Sequence, residues 1–163
     1  HGLEAYLKQL GLQENDLVGK KILDIGFGRT NRFARELKKS IDAEVFGISP
    51  DIKRPDVRRM IKMEDPEHSS HMVGATAQEL PFKDEMFDLI FALYSLSYYN
   101  LDEGDIANID RWVEEMARVL KTDGEARIAP VYEFNPQELL KDIAEKHHLE
   151  CTATEHCFVL KKK

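Results

Sequence analysis

The sequence lacks any apolar run that approaches the ~20 residues needed to span a membrane. It is also poor in cysteine, with only Cys151 and Cys157 among 163 residues, and it shows no secretory signal peptide. Few thiols and no export signal are typical of a reduced, cytoplasmic protein. Because the neighbouring His147, His148 and His156 follow no common zinc spacing, no metal site is expected.

Positive charge is in deficit, with 23 Lys and Arg against 30 Asp and Glu and a formal net charge of −7. A general nucleic-acid-binding protein would present a basic face, so this balance argues against that class. One short segment nevertheless concentrates five basic residues, which are Lys53, Arg54, Arg58, Arg59 and Lys62. They form either a local basic patch or an ordinary solvated helix face, and the second interpretation is favoured.

The length is typical of one domain, and we expect a single domain over residues 1–163. A composition with 42% hydrophobic and 33% charged residues is ordinary for a globular chain. There is no internal repeat, low-complexity tract or linker. The first residue is His1 rather than Met, from which we expect a processed chain.

Short apolar runs predict strands over 21–25, 44–48, 71–74 and 87–93, and a turn near 121–124 precedes a fifth strand. Two closing strands are predicted over 149–154 and 156–160. Helical spacing of apolar residues predicts helices over 3–10, 30–39, a basic stretch ending near 63, 105–120 and 135–147. Thr30 is predicted to cap the second helix, and Asn135 with Pro136 to begin the last.

Strands that alternate with helices predict an α/β fold, doubly wound and Rossmann-like, with a mostly parallel seven-stranded sheet. The two closing strands have no helix between them, which predicts an antiparallel hairpin at one edge. In such a sheet, ligands bind at the carboxyl ends of the strands where the strand order reverses.

The loop after the first predicted strand carries Gly26 and Gly28, which let a ligand approach the backbone closely. The following helix would direct free N–H groups at the same place, which favours a nucleotide-like or anionic ligand. The alternative is a plain tight turn. A nicotinamide or flavin fingerprint fails because Asn31 occupies its sixth position, and no phosphate-binding G-x-x-x-x-G-K motif is present.

The stretch "LDIGFG" (23–28) resembles motif I of the class I S-adenosylmethionine-dependent methyltransferases. The resemblance continues in order through "VFGISP", "GATAQELPFKDEMFDLIFALYSLSYY" and "VEEMARVLKTDGEARIA", so that it spans residues 20–131. It implies a small methyltransferase domain whose cofactor is S-adenosylmethionine.

By this resemblance, Asp24, Gly26, Phe27 and Gly28 would hold the methionyl end of the cofactor. Asp24 has a mechanical alternative, which is to brace the loop.

The resemblance also assigns the adenosyl side of the cofactor. Ala77 and Leu93 would contact the cofactor, and Thr76 falls where the family has the acid that contacts the adenine amine. Ser49 replaces the acid that grips the ribose, and Asp51 is a candidate substitute for it. Hydrogen bonds to a charged partner contribute about 1.5–3 kcal/mol, so both departures predict weakened binding.

The methyl acceptor would be a small molecule or an exposed protein group. Tyr94, Ser97, Tyr98 and Tyr132 are the candidate acceptor pocket, in which hydroxyl groups would act as proton partners. The alternative role of these aromatic residues is to pack the end of the sheet. A partner subunit is a candidate for completing the pocket, and no catalytic signature is present. The competing hypothesis is a methyltransferase-like binding or scaffold domain that has lost catalysis.

Overall fold

The computed structural model describes residues 1–96, 103–130 and 137–163, and for residues 103–105 it describes the backbone alone. Five helices are present in these ranges: α1 (Leu3–Leu10), α2 (Arg32–Leu37), α3 (Pro55–Glu64), α4 (Glu103–Val119) and α5 (Gln137–Lys146). Within the described part of the chain, every helix is too short or too polar to cross a bilayer.

Seven strands form one sheet: β1 (Lys21–Ile25), β2 (Glu44–Ile48), β3 (Met72–Val73), β4 (Phe87–Leu93), β5 (Leu120–Ala129), β6 (Leu149–Ala153) and β7 (Phe158–Lys162). Their order is β3-β2-β1-β4-β5-β7-β6. The first five strands pair in parallel, whereas β7 pairs antiparallel with both β5 and β6. The predicted doubly wound sheet with an antiparallel edge hairpin is confirmed.

Both faces of the sheet are covered, and side chains alternate between two apolar clusters along each central strand. In β4, Phe91 packs with Phe33 on the α1–α2–α3 face, whereas Ile90 packs with Trp112 on the α4–α5 face. A parallel strand that is buried on both faces reads as a continuous apolar run, which explains the sequence of β4.

Several predicted bounds shift by about two residues, as in the last strand, predicted over 156–160 and found at Phe158–Lys162, and two local predictions differ for an identifiable physical reason. The residue that flanks α2 is Asn31 rather than the predicted Thr30, because the buried Asn31 amide donates to Asp65 Oδ2 at 2.7 Å and fixes the helix start. The fifth strand already begins at Leu120. It passes through the predicted turn by means of a register shift against β4 and a left-handed backbone at Asp123 (φ 64°). The predicted start of α5 at Asn135 and Pro136 lies outside the described residues.

Candidate functional site

The strand order reverses between β1 and β4, so the carboxyl ends of these two strands form the crevice predicted for a ligand. Gly26 follows β1 directly and donates its N–H to the Ile48 carbonyl of β2 at 2.8 Å. Its φ of 78° favours glycine. A Cβ at this position would lie 2.2 Å from Ser95 Cβ, so the glycine also makes room for the chain that leaves β4.

Gly28 shares the left-handed backbone, with a φ of 78°, but has different surroundings. A Cβ at this position would meet no atom of the described residues within 4 Å. The loop is therefore open above Gly28, as a site for close backbone approach requires. Phe27 lies between the two glycines, and its buried ring packs beside Gly47 of β2. A ligand contact from Phe27 would therefore come from its backbone.

Asp24 is fully enclosed beneath the loop, with 2% of its surface exposed. The Tyr6 hydroxyl of α1 donates to its two carboxylate oxygens at 2.8 and 2.9 Å. Burial raises the pKa of Asp24 to about 7, although the hydrogen bond from Tyr6 opposes this shift. The ring of Tyr6 stacks on Phe33 at 4.1 Å, which fixes the donor. Asp24 thus joins α1 to the glycine loop and carries a carboxyl group that titrates near neutrality.

Ser49 follows β2 and is buried, but its hydroxyl already has a role. It accepts the backbone N–H of Asp51 at 3.2 Å and caps the 3-10 helix over Pro50–Lys53. The half-buried Asp51 carboxylate accepts no hydrogen bond from the described residues. Of the two candidate ribose contacts, Asp51 therefore has the carboxylate that is available to a ligand.

A cavity of about 310 Å³ lies at the carboxyl ends of β1, β2 and β4. This volume is at the lower end of the range for small-molecule sites. Its lining is formed by Ile25, Gly26, Ile48, Pro50, Ala75, Thr76, Ala77, Gln78, Ser95, Leu96, Asn108 and Trp112. No charged side chain belongs to this described lining. The cavity therefore offers apolar surface with neutral hydroxyl and amide groups.

The cavity contains three of the predicted cofactor residues, Gly26, Thr76 and Ala77. Leu93 is instead buried in the core at the end of β4. The candidate acceptor residues Ser97, Tyr98 and Tyr132 lie outside the described residues. Tyr94 is described, with half of its surface exposed, and its ring stacks on His1 at 5.1 Å between centroids.

The turn after β4 is strained, and it directs a polar group into the cavity wall. Tyr94 has a φ of 56°, which is an outlier for a bulky residue. The next residue, Ser95, lines the cavity, and its buried hydroxyl has no hydrogen-bond partner among the described residues. Strain together with an unsatisfied buried hydroxyl is typical of a ligand site.

The loop that carries Thr76 to Gln78 is anchored to α4 by an arginine. Arg118 donates to the carbonyls of Leu80 and Phe82 at 2.9 and 2.8 Å, and to Glu115. Glu115 in turn accepts the Leu80 N–H at 2.7 Å. The hydrogen bond from Arg118 keeps the pKa of Glu115 below its usual range. These bonds hold one wall of the cavity against the helix that carries Asn108 and Trp112.

Replacing Arg118 with methionine is expected to lower the free energy of unfolding by about 1.5–3 kcal/mol, because two loop carbonyls lose a charged donor. Ligand affinity should fall as well, since the loop wall is released. Arg111→Met is the matched control, because its contact with Glu114 is long (3.8 Å) and exposed. Urea unfolding should show a change of less than about 0.5 kcal/mol for that control. Equal losses in both variants would contradict the anchoring role.

Sequence reasoning missed several wall residues, among them Gln78, Asn108 and Trp112. Trp112 carried a detectable signal, since it lies in the apolar stripe of α4, but that pattern indicated only core packing. Asn108 and Gln78 carried none, because neutral polar residues occur commonly on helix and loop surfaces. Among the described residues, no group of three or more His, Cys, Asp or Glu is arranged to hold a metal ion.

Comparisons with known proteins agree with this architecture. A family model described as a methyltransferase domain matches residues 23–128. The sterol 4-C-methyltransferase strm-1 of Caenorhabditis elegans is 36% identical over 83 residues, which cover 48% of this chain and 22% of that protein. The methyltransferase GfsG of Streptomyces halstedii is 31% identical over 129 residues, which cover 78% of this chain and 44% of that protein.

Solved structures share the fold at low identity. A SAM-dependent methyltransferase from Methanosarcina mazei aligns with a TM-score of 0.67 over 99% of both chains at 17% identity. The chain spans less than half the length of the curated relatives that it matches.

Proposed function

This chain belongs to the methyltransferase family whose domain model matches residues 23–128, and we propose that it binds S-adenosylmethionine in the crevice and methylates a small-molecule acceptor. The observation that carries the proposal is the open backbone at Gly28, two residues after the cavity residue Gly26, together with the Ser95 hydroxyl in the cavity wall, which has no partner among the described residues. These features fit a ligand with one charged end and one neutral, hydrogen-bonding end. One matched relative is named as a sterol 4-C-methyltransferase, which supports a small-molecule acceptor over a protein group.

Within this proposal, the Gly26–Gly28 loop and Asp24 hold the methionyl end. Thr76, Ala77 and Gln78 surround the base, and Asp51 contacts the ribose. The cofactor supplies an activated methyl group on a sulfonium. Because that leaving group is already activated, the chain's own task is to align the acceptor and exclude water. The side chain of Tyr94 lies at the crevice. Of the candidate acceptor residues, it is the one that lies within the described part of the chain.

Ligand-dependent unfolding tests the proposal. Saturation at about 100 times the dissociation constant should stabilise the chain by about 2.7 kcal/mol. We expect S-adenosylmethionine and S-adenosylhomocysteine to raise the melting temperature and NAD to have no effect. If neither sulfur compound stabilises the chain, the proposal is wrong.

A second function, that of a non-catalytic binding domain, is favoured by one observation, which is the absence of carboxylates from the described cavity lining. It predicts that S-adenosylhomocysteine binds weakly or not at all and that no acceptor is methylated. Release of S-adenosylhomocysteine from S-adenosylmethionine in the presence of small-molecule acceptor pools would exclude it.

Placing a carboxylate beside the adenine base should tighten binding of the cofactor. Thr76→Asp is expected to lower the dissociation constant for S-adenosylhomocysteine by up to about tenfold, because one charge-assisted hydrogen bond contributes ~1.4 kcal/mol or more. Thr76→Asn is the matched control and should gain less, since it has nearly the same shape without the charge. Ser49→Asp should gain little, because position 49 is used as a helix cap. Titration calorimetry that finds equal affinities for Thr76→Asp, Thr76→Asn and the parent would contradict the placement of the base.

A further inference from the structure

The basic segment singled out in the sequence forms an exposed face of α3 that the proposed function does not use. Val57 and Ile61 are buried against the sheet, each with 2% exposure. At 3.6 residues per turn, Arg59 lies roughly opposite that buried stripe, and Met63 follows it on the same face one turn later. Lys62 lies beside them, so the outward surface of the helix is cationic around one apolar side chain.

The acids next to this face are already paired. Asp56 accepts from Arg54 at 2.8 Å, and Glu64 pairs with Arg35 of α2 at 3.2 Å. Within the described residues, no acidic partner lies in ion-pair contact with Arg58, Arg59 or Lys62. Their charge is therefore free to act on another molecule, in a chain whose net charge is −7.

Met63 is the most exposed large apolar side chain described, at 76%. The Met63 side chain is unbranched and apolar, and it projects among basic side chains. This combination matches a surface that is negatively charged outside and apolar beneath. Lysine and arginine side chains are attracted to the negative potential of an anionic bilayer, and an exposed apolar side chain among them enters the headgroup region. A nucleic-acid backbone would use the cations but not the methionine, and the acidic chain as a whole disfavours such a partner.

We propose that the exposed side of α3, with Arg59, Lys62 and Met63 facing outward and Arg58 on its flank, is a peripheral docking surface for an anionic lipid bilayer. The sequence predicts no membrane span, and this contact is at the surface only. The acids elsewhere on the chain oppose it weakly, because charges more than ~10 Å away are screened at ordinary salt. The inference is independent of the methyltransferase proposal.

The segment that leads into α3 borders the crevice. The 3-10 helix that precedes α3 begins at Pro50, which lines the cavity. Lys53, three residues later, lies against Gly74, the neighbour of the wall residue Ala75. The segment Pro50–Lys53 therefore connects the cavity wall to the proposed docking helix.

Co-sedimentation with vesicles tests the proposal. The chain should bind phosphatidylcholine vesicles that contain phosphatidylserine, should not bind pure phosphatidylcholine, and should be released by salt. Each basic residue at an anionic surface contributes about fivefold, so R58Q/R59Q/K62Q should lower the partition coefficient on the order of hundredfold. Met63→Ser should lower it by about tenfold, since a buried apolar side chain is lost.

The matched control is K20Q/K83Q/K161Q, which removes the same charge from three exposed lysines outside α3. It should bind vesicles nearly as well as the parent. Melting temperatures of both triple variants check folding. The proposal is overturned if the parent does not bind anionic vesicles or if both triple variants lose binding equally. It is also overturned if single-stranded RNA binds the parent more tightly than vesicles and the α3 substitutions abolish that binding.

Discussion

Gly26→Ala is expected to lower the free energy of unfolding by about 2–5 kcal/mol. The left-handed backbone costs a residue with a Cβ about 1–2 kcal/mol, and overpacking adds about 1–3 kcal/mol. The overpacking arises because the new Cβ would lie 2.2 Å from Ser95 Cβ and 3.3 Å from Ser95 Cα, neither of which is the far end of a flexible side chain. Relief would require the turn after β4 to move, so ligand affinity should fall in the same variant.

Gly28→Ala is the control for backbone strain. Its φ is the same 78°, but a Cβ there meets no described atom within 4 Å, so only the backbone cost of about 1–2 kcal/mol applies. Adding Ser95→Gly to Gly26→Ala should recover stability, with a coupling of about 1 kcal/mol or more. Urea unfolding of the single and double variants measures this coupling. If Gly26→Ala is no less stable than Gly28→Ala, the proposed contact with Ser95 does not limit this position.

The fold was predictable because its signals are local. The apolar runs predicted both ends of β1 and of β4 without error. The absence of a helix between β6 and β7 predicted the antiparallel pair. The family was predictable from the order of "LDIGFG" and three later segments, and the matching family model confirms it. The start of α2 was not predictable, because Asn31 is held by a hydrogen bond to Asp65, which follows α3 and is distant in sequence.

The candidate site was less predictable, because its contacts depend on segments that are distant in sequence. Nothing near Asp24 shows that Tyr6 of α1 would donate to it. Nothing near Ser49 distinguishes a ribose contact from the capping role that the structure shows. The contact of Gly26 with Ser95 joins two strand ends that are far apart in the chain. The roles of the predicted cofactor residues remain predictions.

Asp24 should make folding depend on pH near neutrality. Its pKa is raised from 3.8 to about 7 in the folded chain, chiefly by burial. Between these values the unfolded chain has lost the proton that the folded chain keeps, so stability is fully present below about pH 4 and is lost as the pH rises through about 7. Three pKa units correspond to about 4 kcal/mol at most. Asp24→Asn should therefore be more stable than the parent at about pH 8, by a margin that shrinks as the pH falls and becomes small only near pH 4 and below, as measured by urea unfolding.

The same carboxyl group should control cofactor affinity. If the ionised form of Asp24 holds the methionyl ammonium group, affinity for S-adenosylmethionine should rise about tenfold between roughly pH 6 and pH 8, in proportion to the ionised fraction. Asp24→Asn should bind weakly at both values. Tyr6→Phe removes a hydrogen bond that lowers the pKa of Asp24, so it should shift the midpoint of the affinity profile to higher pH. A purely mechanical brace would give a different result, because the parent's affinity would be flat across this range while Tyr6→Phe lowered only stability. Calorimetric titrations of the parent and both variants across the range therefore decide whether Asp24 contacts the cofactor or only supports the loop.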